Sequence, residues 1–270
     1  MFTKNSRIVI GLPTYDTEYL AVSVPGLARL GAGHTLIIHN DNPATRVTRR
    51  QIRKLGYRGR LRIINSKHNL GTLHARMAIL DFVHSHRIGG QWFIFVDDDD
   101  ILLNLDVPDV SPNVFAIIQN MVVIRTRMID ALRVMSCPSN YTVDNENVCM
   151  VRPHVGMAGT LVRMSAIMRL RDVLHDAHTR ISDVFAGISY RPPVDMVMWS
   201  GLNIVAHYDN ECAVPIYMDC TNYIALDLDT SPTKYGMPLQ PARNAAAQIM
   251  RVVTRCDAAI REVLTAHAAA

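Results

Sequence analysis

What this chain has little of narrows the possibilities first. Only 19% of its 270 residues are charged, while 49% are hydrophobic, which excludes a chain that is disordered throughout and allows one substantial core. The five cysteines, Cys137, Cys149, Cys212, Cys220 and Cys256, are odd in number and scattered. With no Cys-x-x-Cys and no Cys/His cluster, they describe neither a zinc module nor a disulfide framework, and they suit a reducing cytoplasm. Long apolar runs are also missing. Only Ile8 to Leu12 precede Pro13, too short for the apolar region of a signal peptide. Val114 to Ile124 is interrupted by Gln119 and Asn120 and falls short of a membrane span. A cytoplasmic protein without an integral membrane segment is therefore expected. Aromatic residues are 6% of the chain, there is no internal repeat, and no nucleic-acid-binding module is visible. Acidic residues are absent from Asn42 to Leu80, where Arg46, Arg49, Arg50, Arg53, Lys54, Arg58, Arg60, Arg62, Lys67 and Arg76 all fall. That segment reads either as a solvated helix face and loop or as a field that attracts a polyanion or phosphorylated substrate.

What is present alternates. Arg7 to Pro13, His34 to His39, Leu61 to Asn65 and Trp92 to Val96 read as strands. Between them, Glu18 to Leu30 and Leu70 to Val83 carry helical apolar spacing, with Pro25 dividing the first into two short pieces, and Thr45 to Leu55 reads as a basic helix. Strands alternating with helices predict a mostly parallel sheet with ligands at the strands' carboxyl ends. Further on, Val114 to Met128 reads as one or two strands, Met135 to Arg152 as an active-site loop, Gly159 to Arg163 as a strand and Ser165 to His175 as a helix. Val194 to Leu202 reads as a helix, and Asn203 to His207 and Ala213 to Met218 as strands. From Pro238 a last helix carries Ile249, Val252, Val253, Cys256, Ile260, Val263 and Leu264 on one face. That face covers the sheet or joins two copies as a homodimer.

The most informative stretch is Trp92-Phe93-Ile94-Phe95-Val96-Asp97-Asp98-Asp99-Asp100, an apolar strand that runs into four carboxylates. Like charges in a row repel unless a cation or a solvated turn accommodates them. Carboxylate oxygens suit Mg²⁺ or Mn²⁺, and Mg²⁺ commonly takes one or two carboxylates plus phosphate oxygens. Strand alternation would set Asp97 and Asp99 apart from Asp98 and Asp100.

Val96-Asp97-Asp98-Asp99-Asp100 resembles the DXD motif of GT-A glycosyltransferases, especially glycosyltransferase family 2. Ile8 to Tyr15 is similar to that family's first strand and proline turn, and Asn69-Leu70-Gly71-Thr72-Leu73-His74-Ala75-Arg76 to its Asn-x-Gly-x-x-x-Ala-Arg helix start. Ile37 to Asn42 sits where the family has a strand ending in Asp-Asp-x-Ser, with Asn40 in place of the first Asp. The likeness covers 7–105 and continues more weakly to 205. It implies an α/β fold of GT-A (Rossmann-like) type, a mostly parallel sheet flanked by helices with a C-terminal helical extension. The glycosyltransferase domain would be 1–230, with its nucleotide-sugar half at 1–105 and its acceptor half at 106–230, followed by the extension at 231–270.

The resemblance also implies roles. Asp99 and Asp97 would hold Mn²⁺ or Mg²⁺ on the diphosphate of a nucleotide-sugar donor, with Asp97 also meeting the ribose or a metal-bound water. Pro13, Tyr15, Asn40 and Asp41 would border the base, Asn69 and Gly71 would let backbone approach the nucleotide, Arg76 would orient the acidic turn, and Asp98 would lie at the donor. Asp195, at a predicted helix start in Arg191-Pro192-Pro193-Val194-Asp195, would be the general base of an inverting transfer, with Asp183 in reserve. His207 and His154 are further polar candidates. The acceptor would be a saccharide, a glycolipid or, given the acid-free basic segment, a hydroxylated base in DNA. A nucleotidyltransferase and an inactive sugar- or nucleic-acid-binding module are the competing classes.

Overall fold

The computed structural model describes residues 7–105, 107–126, 148–153, 156–188, 193–228 and 242–269. Its first half is β1 (Ile8–Thr14), α1 (Leu20–Arg29), β2 (Thr35–Asn40), α2 (Arg49–Lys54), β3 (Arg60–Asn65), α3 (Thr72–Ser85) and β4 (Trp92–Phe95). These strands pair in parallel in the order β3-β2-β1-β4. Because side chains alternate across a strand, the continuous apolar runs supply two cores at once. Ile8, Ile10, Leu12, Leu36, Ile38 and Ile94 face Leu20, Val24 and Leu27 of α1 and Ile52 of α2. Val9, Ile37, Phe93 and Phe95 face Leu73, Met77 and Leu80 of α3 on the other side.

Local chemistry sets the boundaries. Thr48 and Gln51 form a reciprocal capping box that starts α2. Pro13 does not end β1. Gly11 O accepts from Val96 N at 2.9 Å, so the amide that Pro13 lacks would point to the same side, beyond the last residue paired with β4. Pro25 lies inside α1, which is one helix rather than two pieces.

The second half comprises β5 (Ile101–Leu102), β6 (Val114–Thr126), β7 (Val148–Pro153), β8 (Leu161–Arg163), α4 (Met164–Asp176), α5 (His178–Ala186), α6 (Val194–Asp209), β9 (Val214–Leu228) and α7 (Ala242–Ala269). The sheet continues from β4 through β8, β6 and β9 to β5, with β7 on β6. Here β8 is antiparallel to β4 and β6, whereas β6 and β9 are parallel. The protein is thus α/β, with a parallel first half and a mixed second half. Helices flank both faces, and a C-terminal helix completes the helical layer.

Three expectations change. Asn203 to His207 is not a strand but the second half of α6, because Val197, Met198, Gly201, Leu202 and Val205 form one buried helical stripe. The apolar face of α7 neither lies on the sheet nor stands open for a second copy. Val252, Val253, Cys256, Ile260, Val263 and Leu264 are buried in one core with residues of α4, α5 and α6. Gly201 lets α7 approach, since a Cβ there would lie 2.8 Å from Ile260 Cδ1. Of the expected loop at Met135 to Arg152, Val148 to Arg152 belongs to β7 and 135–147 lies outside the described residues. Among the described residues no helix is long and apolar enough to cross a membrane.

Gly159 ties this frame to the acidic run. Its φ is +75°, its N–H donates to Phe95 O at 2.8 Å, and an added Cβ would lie 2.7 Å from Tyr223 Cγ. Gly159→Ala should therefore destabilise the protein by about 1–3 kcal/mol through strain and overpacking. Thermal melting measures this, and an unchanged midpoint would contradict the close contact.

Candidate active site

From β1 the chain steps outward to β2 and β3, then returns to place β4 on the other side of β1. In open α/β sheets the crevice beyond the carboxyl ends at such a reversal is where ligands bind. Thr14 and Asp97 stand on its two sides.

Asp97 to Asp100 leave β4 as a turn, closed by Asp100 N donating to Asp97 O at 3.2 Å. Strand parity therefore does not sort the four carboxylates, as the alternation predicted; their surroundings do. Asp100 is buried. Its Oδ2 accepts from the Tyr223 hydroxyl at 2.6 Å and its Oδ1 from Leu226 N at 3.0 Å. The Tyr223 oxygen also accepts from Asp97 N at 3.2 Å, so β9 holds the turn from below. Burial, reinforced by Asp99 and Asp97, pushes the Asp100 carboxyl well above the usual aspartate range, against the pull of these hydrogen bonds. Burial next to Asp99 pushes Asp98 up too, while a hydrogen bond with Thr14 opposes it.

Asp97 has a different partner. Arg76, in the second turn of α3, is 1% exposed, and its Nη2 donates to Asp97 Oδ1 at 3.0 Å. Its Nη1 donates to Asp195 Oδ1. The guanidinium lies over the Phe95 ring, 5.3 Å from its centroid. Burial works against its charge, but Asp195 and Asp97 outweigh that and push its pKa above the ordinary arginine range. One planar fork thus joins α3, the acidic turn and the first turn of α6, a geometry that a lysine's point charge cannot reproduce. Both carboxylates are partly exposed, with side-chain exposures of 34% for Asp97 and 41% for Asp195.

The β2 side is built otherwise. Asp41 is buried, and its two oxygens accept from Leu70 N and Gly71 N, each at 2.8 Å. It neutralises the start of α3, where negative charge is favoured. Gly71 takes φ +78° to make that turn, so its amide faces Asp41 rather than an incoming ligand. Asn40 is fully buried. Its Nδ2 donates to Thr45 O at 2.9 Å and Asn65 Oδ1 at 3.2 Å, and its Oδ1 accepts from Asn42 N at 3.2 Å. Asn40 and Asp41 therefore shape the loop after β2 with their side-chain atoms, where the resemblance had them bordering a base. Pro13 is half-buried, while Tyr15 and Asn69 are exposed at the same end of the sheet. Asp183 lies on the exposed face of α5, and His207 is exposed near the far end of α6. His154 lies outside the described residues.

Among the described residues, no three His, Cys, Asp or Glu side chains converge as a ready-made metal cage. The oxygen donors of the turn instead fit a hard ion held by one or two carboxylates and completed by ligand oxygens and water, the usual habit of Mg²⁺. The exposed basic residues of α2 and β3, Arg49, Arg50, Lys54, Arg60 and Arg62 among them, lie on the β3 edge. That edge is three strands from β4, about 14 Å at ordinary strand spacing.

Sequence reasoning connected Arg76 to the acidic turn but missed Tyr223. Tyr223 follows Asp97 by more than a hundred residues and lies in an ordinary apolar strand. Its neighbour Asn222 offers no motif either, so only the β9 pairing reveals it.

No protein-family model matches the chain, and no curated protein matches it. Among solved structures it is similar to S. aureus TarS at 14% identity, over 82% of this chain and 36% of that one, with a TM-score of 0.45. A second structure, S. aureus TarS 1-349, is 13% identical over 96% of this chain and 69% of that one, with a TM-score of 0.46. The chain thus spans about a third of the longer of the two.

Arg76→Met should leave Asp97 and Asp195 facing each other without the guanidinium that joins them. The expected loss is on the order of 2–4 kcal/mol, below the fully buried range because both carboxylates touch solvent. A double-mutant cycle with Asp195→Asn, read by chemical denaturation, should show coupling of at least about 1 kcal/mol. Additive effects would mean that the fork is not energetically connected.

Proposed function

We propose that the protein is a metal-dependent glycosyltransferase that moves a sugar from a nucleotide-sugar donor to an acceptor hydroxyl with inversion. The observation that carries this reading is the buried Arg76 fork. It brings Asp195, from a separate helix, beside the acidic turn at the switch point of the sheet. Two partly exposed carboxylates with different surroundings suit two jobs.

Asp99 and Asp97 would hold the ion, and Pro13, Tyr15 and Asn69 would border the nucleotide. When bound, Mn²⁺ or Mg²⁺ would neutralise charge developing on the departing diphosphate. Asp195 takes the proton of the acceptor hydroxyl, whose oxygen forms the new bond to the anomeric carbon. The bond to the diphosphate breaks, and its electron pair leaves with the phosphate oxygen. Arg76 keeps Asp195 and Asp97 in fixed mutual geometry, which matters because small misplacements of a catalytic group cost large factors in rate. Asp98 and Asp100 support the turn. A saccharide or glycolipid acceptor entering from the α6 side would meet Asp195 directly, whereas the basic β3 edge lies across the donor side. This placement favours a sugar acceptor over DNA.

The test is release of nucleoside diphosphate and product formation from a panel of nucleotide sugars and saccharide acceptors with Mn²⁺. Asp195→Asn should lower turnover by about 10²–10⁴-fold while donor still binds. Asp99→Asn, or excess chelator, should abolish transfer in a folded protein. Wild-type turnover in Asp195→Asn would place the base elsewhere, and full activity under chelation would overturn the metal requirement.

A further inference from the structure

Helices α6 and α7 do not close on each other along their whole length. On one flank they enclose a pocket of ≈ 600 Å³, within the usual size range of small-ligand sites. From α6 it is lined by Ser200, Asn203, Ile204, His207 and Tyr208, one stripe at helical spacing, and from α7 by Asp257, Arg261 and Thr265. On the helical wheel this stripe lies on the flank of α6 roughly opposite Asp195. It runs from about 7 Å to about 20 Å farther along the axis. The pocket is therefore separate from the Arg76 centre.

A groove between packed helices is ordinarily filled with apolar side chains. Here it is polar, and one of its groups is unfinished. Asp257 Oδ2 accepts from the Ser200 hydroxyl at 2.8 Å, but Oδ1 is buried with no hydrogen-bond partner among the described residues. Buried polar atoms in native proteins nearly always have partners, so Asp257 would gain from a donor in the pocket once its carboxylate rotates to present that oxygen. Burial also pushes this carboxyl above its usual range, with the Ser200 hydrogen bond and Arg261 pulling the other way.

The charge balance identifies the class of donor. Asp257 and Arg261 have opposite signs, so an anion meets the carboxylate and a cation meets the guanidinium. Hydroxyl groups suit both, because each can donate to Asp257 and accept from Arg261. Tyr208 adds a flat apolar surface. Its hydroxyl is pinned to Leu264 O at 3.0 Å while the residue is 47% exposed, so the ring is held with a face in solvent. A fixed ring beside alternating donors and acceptors matches the apolar C–H face and hydroxyl rim of a sugar. We propose that the α6–α7 pocket is a binding site for a neutral saccharide, distinct from the Arg76 centre. The proposal stands on the pocket alone and does not require transferase activity.

The test uses the full chain with maltotriose, cellotriose and chitotriose, read by saturation-transfer NMR and titration calorimetry in the presence of EDTA. At least one trisaccharide should bind saturably without a divalent ion. Asp257→Asn keeps the shape and replaces an acceptor with an amide, and Tyr208→Ala removes an exposed ring. Each should weaken binding at least tenfold with unchanged circular dichroism. Failure of all three sugars to bind saturably would overturn the proposal. So would binding that both variants retain at wild-type affinity, or binding that EDTA abolishes.

Discussion

Everything at the carboxyl end of this sheet depends on burying one guanidinium. A charge that is 1% exposed is tolerable only if it is paired and hydrogen-bonded, and Arg76 meets that condition through Asp97 and Asp195. The requirement runs in both directions. The carboxylates satisfy the arginine, and the arginine allows two like charges to stand side by side at the mouth of a crevice. Three elements distant in sequence, α3, the turn after β4 and the start of α6, are thereby held in register. The Phe95 ring beneath the guanidinium fills the space that water would otherwise occupy. A structure built this way trades some stability for a defined arrangement of charge, as functional sites commonly do.

The four aspartates show how environment divides identical side chains. Asp100 is sunk beneath the turn and bound to Tyr223 and Leu226 of β9. Asp98 lies near Thr14 at the end of β1. Asp97 turns to Arg76, and Asp99 sits at the second central position of the turn. Support comes from below and from the side. Asp41 plays a comparable part across the crevice, where it gives its charge to the amides at the start of α3 rather than to solvent. Much of the polar chemistry near the crevice is therefore internal scaffolding, and the groups with open sides are few.

The helical layer of the second half does more than shield the sheet. α6 presents Asp195 to the centre from its first turn, buries Val197, Leu202 and Val205 in the core, and turns a polar stripe toward α7. A single sixteen-residue helix thus serves the Arg76 centre, a core and a pocket by distributing them around its circumference. α7 is needed for the last two, since Cys256, Ile260 and Leu264 complete the core and Asp257 and Arg261 complete the pocket.

The first half of the fold was legible in the sequence because its signals are local. Apolar runs broken by glycine and proline mark β1 to β4, and helical spacing marks α3, while the Asp97 to Asp100 run announces a charged strand end by itself. Where long-range packing overrides local preference, the sequence was ambiguous. Asn203 to His207 has a strand-like composition, yet it continues α6 because the stripe begun at Val197 is buried only as a helix. The apolar stripe of α7 was visible, but what covers it was not, since a helix face carries no label for its partner. The same division runs through the site. Sequence alone supplied Arg76, the aspartates and Asp195 as residues with suitable chemistry. Only the tertiary structure decided that one fork joins Arg76, Asp97 and Asp195, that Tyr223 braces the turn, and that Asn40 and Gly71 spend their hydrogen bonds internally. Hydrogen bonds between residues a hundred positions apart depend on how strands and helices are stacked. That stacking is set by the summed burial of both cores rather than by any local pattern.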